Sequence, residues 1–167
     1  LIYSIENKAA QRLVCYKEIN ALLENNKQFI VDLPHIYNSN NNNLVNLMFA
    51  MEKHNEVMPM INKQRSFMQT YKIKNATLSK MVFIHTNESE LFLLYKLGAT
   101  EVGASRIKKI EPELKSISLL FSPALFDLFF MIAVINFCEE DYRSAIKWLN
   151  KILNTEREMN IRVELRI

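Results

Sequence analysis

Residues 126–154 read FDLFFMIAVINFCEEDYRSAIKWLNKILN, a nearly unbroken apolar block followed by a regularly spaced amphipathic one. The fold turns on whether that block crosses a membrane or forms one half of a helical hairpin. A spanning helix needs about 20 mostly apolar residues. The stretch from Ile117 to Cys138 has that length, but Ser122-Pro123 and Asp127 interrupt it, and from Leu128 the apolar run lasts only to Asn136. Ser122 suits an N-cap and Pro123 a first helical residue, so a core-type helix is predicted to start there and no membrane span is expected. After Glu139-Glu140-Asp141, the residues Tyr142, Ala145, Ile146, Leu149, Ile152 and Leu153 recur at helical spacing. Arg143, Ser144, Lys147, Asn150 and Lys151 fill the other face. A helix apolar all round, a tight acidic turn and a one-faced helix make an antiparallel αα-hairpin. Its first helix is expected to be enclosed by its partner and by neighbouring hairpins.

Working outward, the whole chain favours the same class. Its 167 residues fit one domain, long enough to bury roughly 70% of the unfolded surface without metals or disulfides. Two glycines and four prolines are too few for the turns of a sheet protein or for Gly-rich ligand loops. The formal charge of +3 is spread out, whereas a nucleic-acid domain gathers its basic residues. The densest cluster, Arg106-Ile107-Lys108-Lys109, reads as a solvated helix face. Cys15 and Cys138 are isolated, without zinc spacing, and read as small core hydrophobes in a reducing, cytoplasmic compartment. The chain begins at Leu1 and ends at Ile167 inside a helical pattern, and is read as a fragment or a processed product.

The hairpin resembles a tetratricopeptide repeat (TPR). Asp141-Tyr142 closes the turn, Ala145 supplies the small residue three positions later, Leu149 and Ile152 follow, and Ala133 is the small residue of the first helix. Glu140 replaces the family's turn glycine, and Asn136 stands where an aromatic is usual, with Phe137 adjacent. A degenerate copy lies 42 residues earlier: Gly103 matches Ala145, Ile107 matches Leu149, Ile110 matches Ile152, Tyr95 matches Phe137, and Gly98 restores the turn glycine opposite Glu140. Leu91 departs from the pattern, standing where a small residue is wanted. The expected units are 123–154 and 88–117 within a single domain over 1–167. A third hairpin is expected from Thr155-Glu156-Arg157-Glu158, a capping box followed by Ile161, Val163 and Leu165. Its final helix would lack a partner and leave an apolar stripe that favours self-association.

In the N-terminal half, Ile5, Ala9, Leu13, Tyr16, Asn20 and Leu23 share a helical face and predict a helix over 4–25. Residues 29–37 read as a short helix limited by Pro34, and Ser39-Asn40-Asn41-Asn42-Asn43 as a loop. Residues 44–54 and 56–72 read as a helix pair, with Asn55 as cap and Pro59 in the opening turn. Residues 76–97 read as helical, with Asn87 and Glu90 offering a second start. The fold class is therefore all-α, about eight helices in a right-handed stack of antiparallel hairpins, a TPR-like α-solenoid.

Chemistry-bearing patterns are sparse. His35, His54 and His85 fall in different segments, and His85 with Glu88 reads as a surface i, i+3 pair. Glu139, Glu140 and Asp141 favour the positive end of the helix that follows. No P-loop, dinucleotide fingerprint or nucleophile elbow occurs, so no catalytic activity, cofactor or metal is expected. By the resemblance, the concave wall is built from first helices, which places Asp127, Phe130, Val134, Phe137 and Cys138 on the candidate protein-binding groove. The Lys and Asn of relatives that clamp a peptide carboxylate are missing there. The groove is either open to an amphipathic helix or filled by the N-terminal helices. Trp148, between the two faces of its helix, reads as a packing residue. The expected function is a non-catalytic scaffold for a protein or peptide, with no nucleic acid and no membrane as partner. The alternative is a regulatory repeat domain of a larger transcription-associated protein whose DNA-binding part lies outside this chain.

Overall fold

The computed structural model describes the backbone of residues 2–117 and 123–164 and the side chains of residues 8–115, 117 and 124–154. Among them the chain forms eight helices and no strand: α1 (Ile2–Asn25), α2 (Lys27–Asp32), α3 (Pro34–Ala50), α4 (His54–Thr70), α5 (Ala76–Lys96), α6 (Thr100–Ser116), α7 (Pro123–Cys138) and α8 (Tyr142–Glu164). No helix in the described residues is long and apolar enough to cross a membrane. The chain divides into two compact units, 1–89 and 90–167, and the division falls within α5.

In the first unit α1 packs on α3, and α3 and α4 form a hairpin. Asn26 caps α2 by accepting the Gln28 amide at 3.2 Å. Leu33 leaves helical geometry before Pro34, which occupies the first turn of α3. Pro34 therefore ends one helix and starts the next, correcting the single helix expected over 29–37. Leu23, Ile30, Tyr37, Phe67, Leu78 and Val82 form the core, with the rings of Tyr37 and Phe67 edge-on at 5.3 Å.

The asparagine run overturns its expected loop. Residues 39–43 lie inside α3, and Asn38, Asn40 and Asn41 are buried. Asparagine is a poor helix former because its amide competes with the backbone. Here the amides are engaged across the helix interfaces instead. Asn20 of α1 donates to Asn41 Oδ1 at 2.6 Å, and Asn40 donates to Asn20 Oδ1 at 2.6 Å and to the Tyr16 carbonyl at 3.0 Å. Gln64 of α4 donates to Asn38 Oδ1 at 2.9 Å. The seam joining α1, α3 and α4 is thus partly an amide ladder. Asn41 Nδ2 is buried in it, beside the Tyr37 phenol.

Two smaller corrections follow in the same half. Lys53, not Asn55, stands at the N-cap of α4, and Pro59 lies inside that helix beyond its first turn. Asn87 does not start a helix: α5 is continuous, and the Asn87 amide donates back to the Phe83 carbonyl at 2.7 Å.

In the second unit α7 packs against both α6 and α8. Leu128, Ile132 and Ile135 are fully buried along α7, and Ala145 and Trp148 of α8 lie under 5% exposed. Trp148 rests 5.1 Å from the Phe129 ring, a packing residue as its position implies. Gly103 of α6 lets α7 come close, since a Cβ there would meet Ile135 Cδ1 at 3.1 Å.

Three turns share one geometry. Glu52, Gly98 and Glu140 adopt positive φ (55°, 68° and 61°), and α4, α6 and α8 each begin two residues later. In each, the residue after the left-handed position donates back across the turn: Lys53 to Met48 O at 2.8 Å, Ala99 to Leu94 O at 2.9 Å and Asp141 to Asn136 O at 2.9 Å. This is the Schellman closure, which satisfies carbonyls orphaned at a helix end. Gly98 and Glu140, paired by sequence at an offset of 42, thus occupy the same backbone state. Lys72, after α4, adopts it too, at φ 54°.

The C-terminal expectation changes. α8 runs without a break through residue 155 to Glu164, so Thr155 does not open a third hairpin. The side chains of residues 155–167, including Ile161, Val163 and Leu165, lie outside the described residues, as does the Ser122 cap.

Candidate functional site

α7 is apolar on every side, yet it is not enclosed on every side. One helical turn covers 3.6 residues, so Asp127, Phe130, Val134, Phe137 and Cys138 fall on a single face. The structure leaves that face open: Phe130 is 54% and Phe137 63% exposed, Val134 is half-buried, and Asp127 and Cys138 are exposed. The expected enclosure of α7 is therefore corrected, while its five singled-out residues do share one surface. Cys138 and Cys15 are both exposed, against their reading as core hydrophobes, because each faces away from its helix's packing side.

The face continues onto α8. The Phe137 and Tyr142 rings meet edge-on at 5.4 Å across the turn, the geometry aromatic quadrupoles favour. Tyr142, Ile146, Leu149 and Leu153 are 52%, 58%, 40% and 53% exposed. Their helical spacing marks them for the core, but α8 meets α7 through the neighbouring arc of Ala145, Trp148 and Ile152. The sequence signal for this surface was an apolar arc wider than a single helix contact can cover.

Charge around this surface is segregated. Asp127 is the only charged residue of α7 and stands at one end of its stripe, while Glu139, Glu140 and Asp141 stand at the other. Asp141 accepts the Ser144 amide at 3.1 Å, capping α8. That hydrogen bond, with Arg143 nearby, holds its carboxyl below the usual range. Two lysines of α8 lie on its far side: Lys147 bonds Glu111 of α6 at 3.3 Å, and Lys151 lies 4.5 Å over the Phe129 ring and 4.9 Å over Trp148. Desolvation there, with Lys147 close by, lowers the Lys151 pKa. Arg106 of the basic run pairs with Glu90 at 2.9 Å, and Lys108 and Lys109 are exposed.

Elsewhere the titratable groups serve structure. Tyr37 donates to Glu24 at 3.0 Å, and burial, reinforced by the Glu24 carboxylate, pushes its phenol well above the usual range. Glu56 is held low by Lys17 and Lys53 at the surface. His35 is exposed on α3, and His54 and His85 are half-buried on α4 and α5. No group of three or more His, Cys, Asp or Glu able to hold a metal occurs among the described residues. A depression of about 740 Å³ is lined by Met68, Lys72, Ile73, Lys74, Asn75 and Ser79. None of those side chains is buried, so nothing there tunes a proton donor or acceptor.

Fold and surface together define an all-helical protein whose second unit presents an open aromatic and aliphatic face. No protein-family model matches the chain, no curated protein is detectably similar to it, and no solved structure matches it.

Proposed function

We propose that this chain is a non-catalytic helical-repeat scaffold, its hairpins stacked in a TPR-like manner, which seats a basic amphipathic helix of a partner protein on the open face of α7. The observation that carries the reading is the exposure of Phe130 and Phe137 on a helix with almost no polar surface of its own. Aromatic side chains presented in this way are typical anchors of protein interfaces. The recurrence of one turn geometry at Glu52, Gly98 and Glu140 supports the repeat architecture. Asp127 at one end of the stripe and Glu139 with Glu140 at the other select the sign of the ligand: apolar anchors flanked by Lys or Arg. Nucleic acid meets the wrong charge on this face.

Fluorescence anisotropy with three labelled helical peptides tests the proposal. One carries apolar anchors with basic flanks, the second the same anchors with acidic flanks, and the third the basic composition scrambled. The basic amphipathic peptide is expected to bind saturably, at least tenfold more tightly than the other two. Phe130→Ala with Phe137→Ala, checked for an unchanged helical circular dichroism spectrum, removes that preference. Equal binding of all three peptides, or full binding by the double variant, contradicts the proposal.

A further inference from the structure

Lysine side chains converge where α8 reaches across α7 toward α6. The ammonium groups of Lys147 on α8 and Lys115 on α6 both lie against Oε1 of Glu111, at 3.3 and 3.6 Å. Two cations touching one oxygen at those distances stand within roughly 7 Å of each other and repel. Lys151, one turn beyond Lys147, sits 4.5 Å over the Phe129 ring and 4.9 Å over Trp148, and Lys147 lies 5.8 Å over Trp148 as well. Aromatic faces hold cations in this way, so the cluster is positioned by buried rings and by one carboxylate. Burial, then Lys147 and more weakly Lys115, disfavour the charge on Lys151, with Glu111 opposing them. The Lys115 and Lys147 side chains are nevertheless 69% and 66% exposed, open to a ligand.

We propose that Lys115, Lys147 and Lys151 form a binding site for a phosphomonoester group. Among the described residues, three ammonium groups about the Glu111 carboxylate leave an excess of two positive charges. A phosphomonoester carries about −1.5 to −2 charges near pH 7 and three acceptor oxygens, which matches that excess. Charge-assisted N–O contacts are about 2.7–2.9 Å long, so one phosphate group is of a size to bridge ammoniums that stand roughly 7 Å apart. Lysine serves such a ligand as a point charge and needs no planar fork. An anion here also offsets the mutual repulsion of the lysines and the desolvation of Lys151. A monocarboxylate would compensate only half of the excess. The same group occurs on soluble phosphate esters and on lipid headgroups, and the test separates the two. The site uses neither Phe130 nor Phe137, and does not rest on the peptide-binding role of α7.

Trp148 is the only tryptophan of the chain, so its emission reports on the ammonium groups above its ring. Titration with glycerol 3-phosphate, at an ionic strength held constant with potassium chloride, is expected to shift that emission saturably, with a dissociation constant of roughly 1 mM. Lys115→Gln with Lys147→Gln leaves the fluorophore and Lys151 in place and weakens binding at least about tenfold. Lys72→Gln with Lys74→Gln removes the same charge from exposed positions of the first unit and leaves binding unchanged. Co-sedimentation with phosphatidylcholine vesicles containing phosphatidic acid, a phosphomonoester lipid, tests the headgroup source. Vesicles with phosphatidylglycerol, a diester, at equal surface charge are the control. Binding to the phosphatidic acid vesicles alone, lost in the Lys115, Lys147 variant and without any response to the soluble ester, assigns the site to a lipid headgroup. Response to glycerol 3-phosphate without vesicle binding assigns it to a soluble ester. No saturable shift together with no preference for phosphatidic acid, or undiminished binding by the Lys115, Lys147 variant, overturns the proposal.

Discussion

Asn20→Ala tests whether the amide ladder is a structural element of the first unit. Asn20 accepts from Asn40 and donates to Asn41, both at 2.6 Å. In the variant Asn40 keeps the Tyr16 carbonyl at 3.0 Å, but Asn41 loses the partner of its Oδ1. A buried carbonyl oxygen in a side chain with no solvent exposure is left without its partner. An orphaned buried polar group costs about 1–3 kcal/mol, and the lost bond to Asn40 about 1 kcal/mol more, so about 3 kcal/mol is expected. Asn43, exposed in the same run, is the control: Asn43→Ala stabilises by about 0.5 kcal/mol through helix propensity alone. Asn20→Ala with Asn41→Ala removes both ends of the broken bond and costs less than the sum of the single changes, by about 1 kcal/mol. Urea unfolding followed by far-ultraviolet circular dichroism measures all five proteins, wild type and Asn41→Ala included. If Asn20→Ala lies within about 0.5 kcal/mol of wild type, the level of an ordinary surface change, or Asn43→Ala destabilises as much as it does, the ladder carries no stability and the reasoning fails.

Two further outcomes follow from the same physics. Tyr37 is an acid whose folded pKa is raised by burial from an ordinary value of 10.0. Its neutral form therefore contributes stability fully below pH 10, and that contribution is lost as the pH climbs toward the folded value. Compared with Tyr37→Phe, the wild-type advantage in urea should be constant from pH 7 to 9 and shrink by up to about 1.4 kcal/mol per pH unit above 10. A constant difference across that window would show that the phenol ionises alike in both states. Glu140 holds a left-handed conformation at φ 61°, which costs a side chain about 1 kcal/mol. Glu140→Gly should raise stability by about 0.5–1 kcal/mol, while Gly98→Ala, at φ 68°, should lower it by a similar amount. Opposite signs in thermal or urea melts are the expected readout.

How much of this was legible in the sequence differs along the chain. The hairpin of α7 and α8 was readable because apolar blocks and an acidic turn carry their own punctuation, and Pro123 fixed where the first helix starts. The equivalence of Gly98 with Glu140 was readable as an offset, although glutamate at a left-handed position runs against its own preference. The asparagine run was not readable. Residue by residue it favours turns, and only partners from α1 and α4, about 20 and 26 positions away in sequence, make its helix stable. Burial of Asn38, Asn40 and Asn41 is a tertiary fact with no local signal.

The open face of α7 and α8 lies at the boundary of what sequence can say, for a physical reason. Periodicity reports that a helix face is apolar; it does not report which molecule covers it. On α6, Ile107 and Ile110 are covered within the chain, whereas on α8 Leu149, 42 positions after Ile107, is 40% exposed. The sequence pattern of the two helices is alike there, since the free energy of removing apolar area from water is indifferent to whose atoms exclude the solvent. What distinguishes α8 is excess: its apolar residues span two adjoining arcs, and Ala145 with Trp148 use only one of them. Width of the apolar arc beyond a single contact is therefore the readable trace of surface that the described residues leave open.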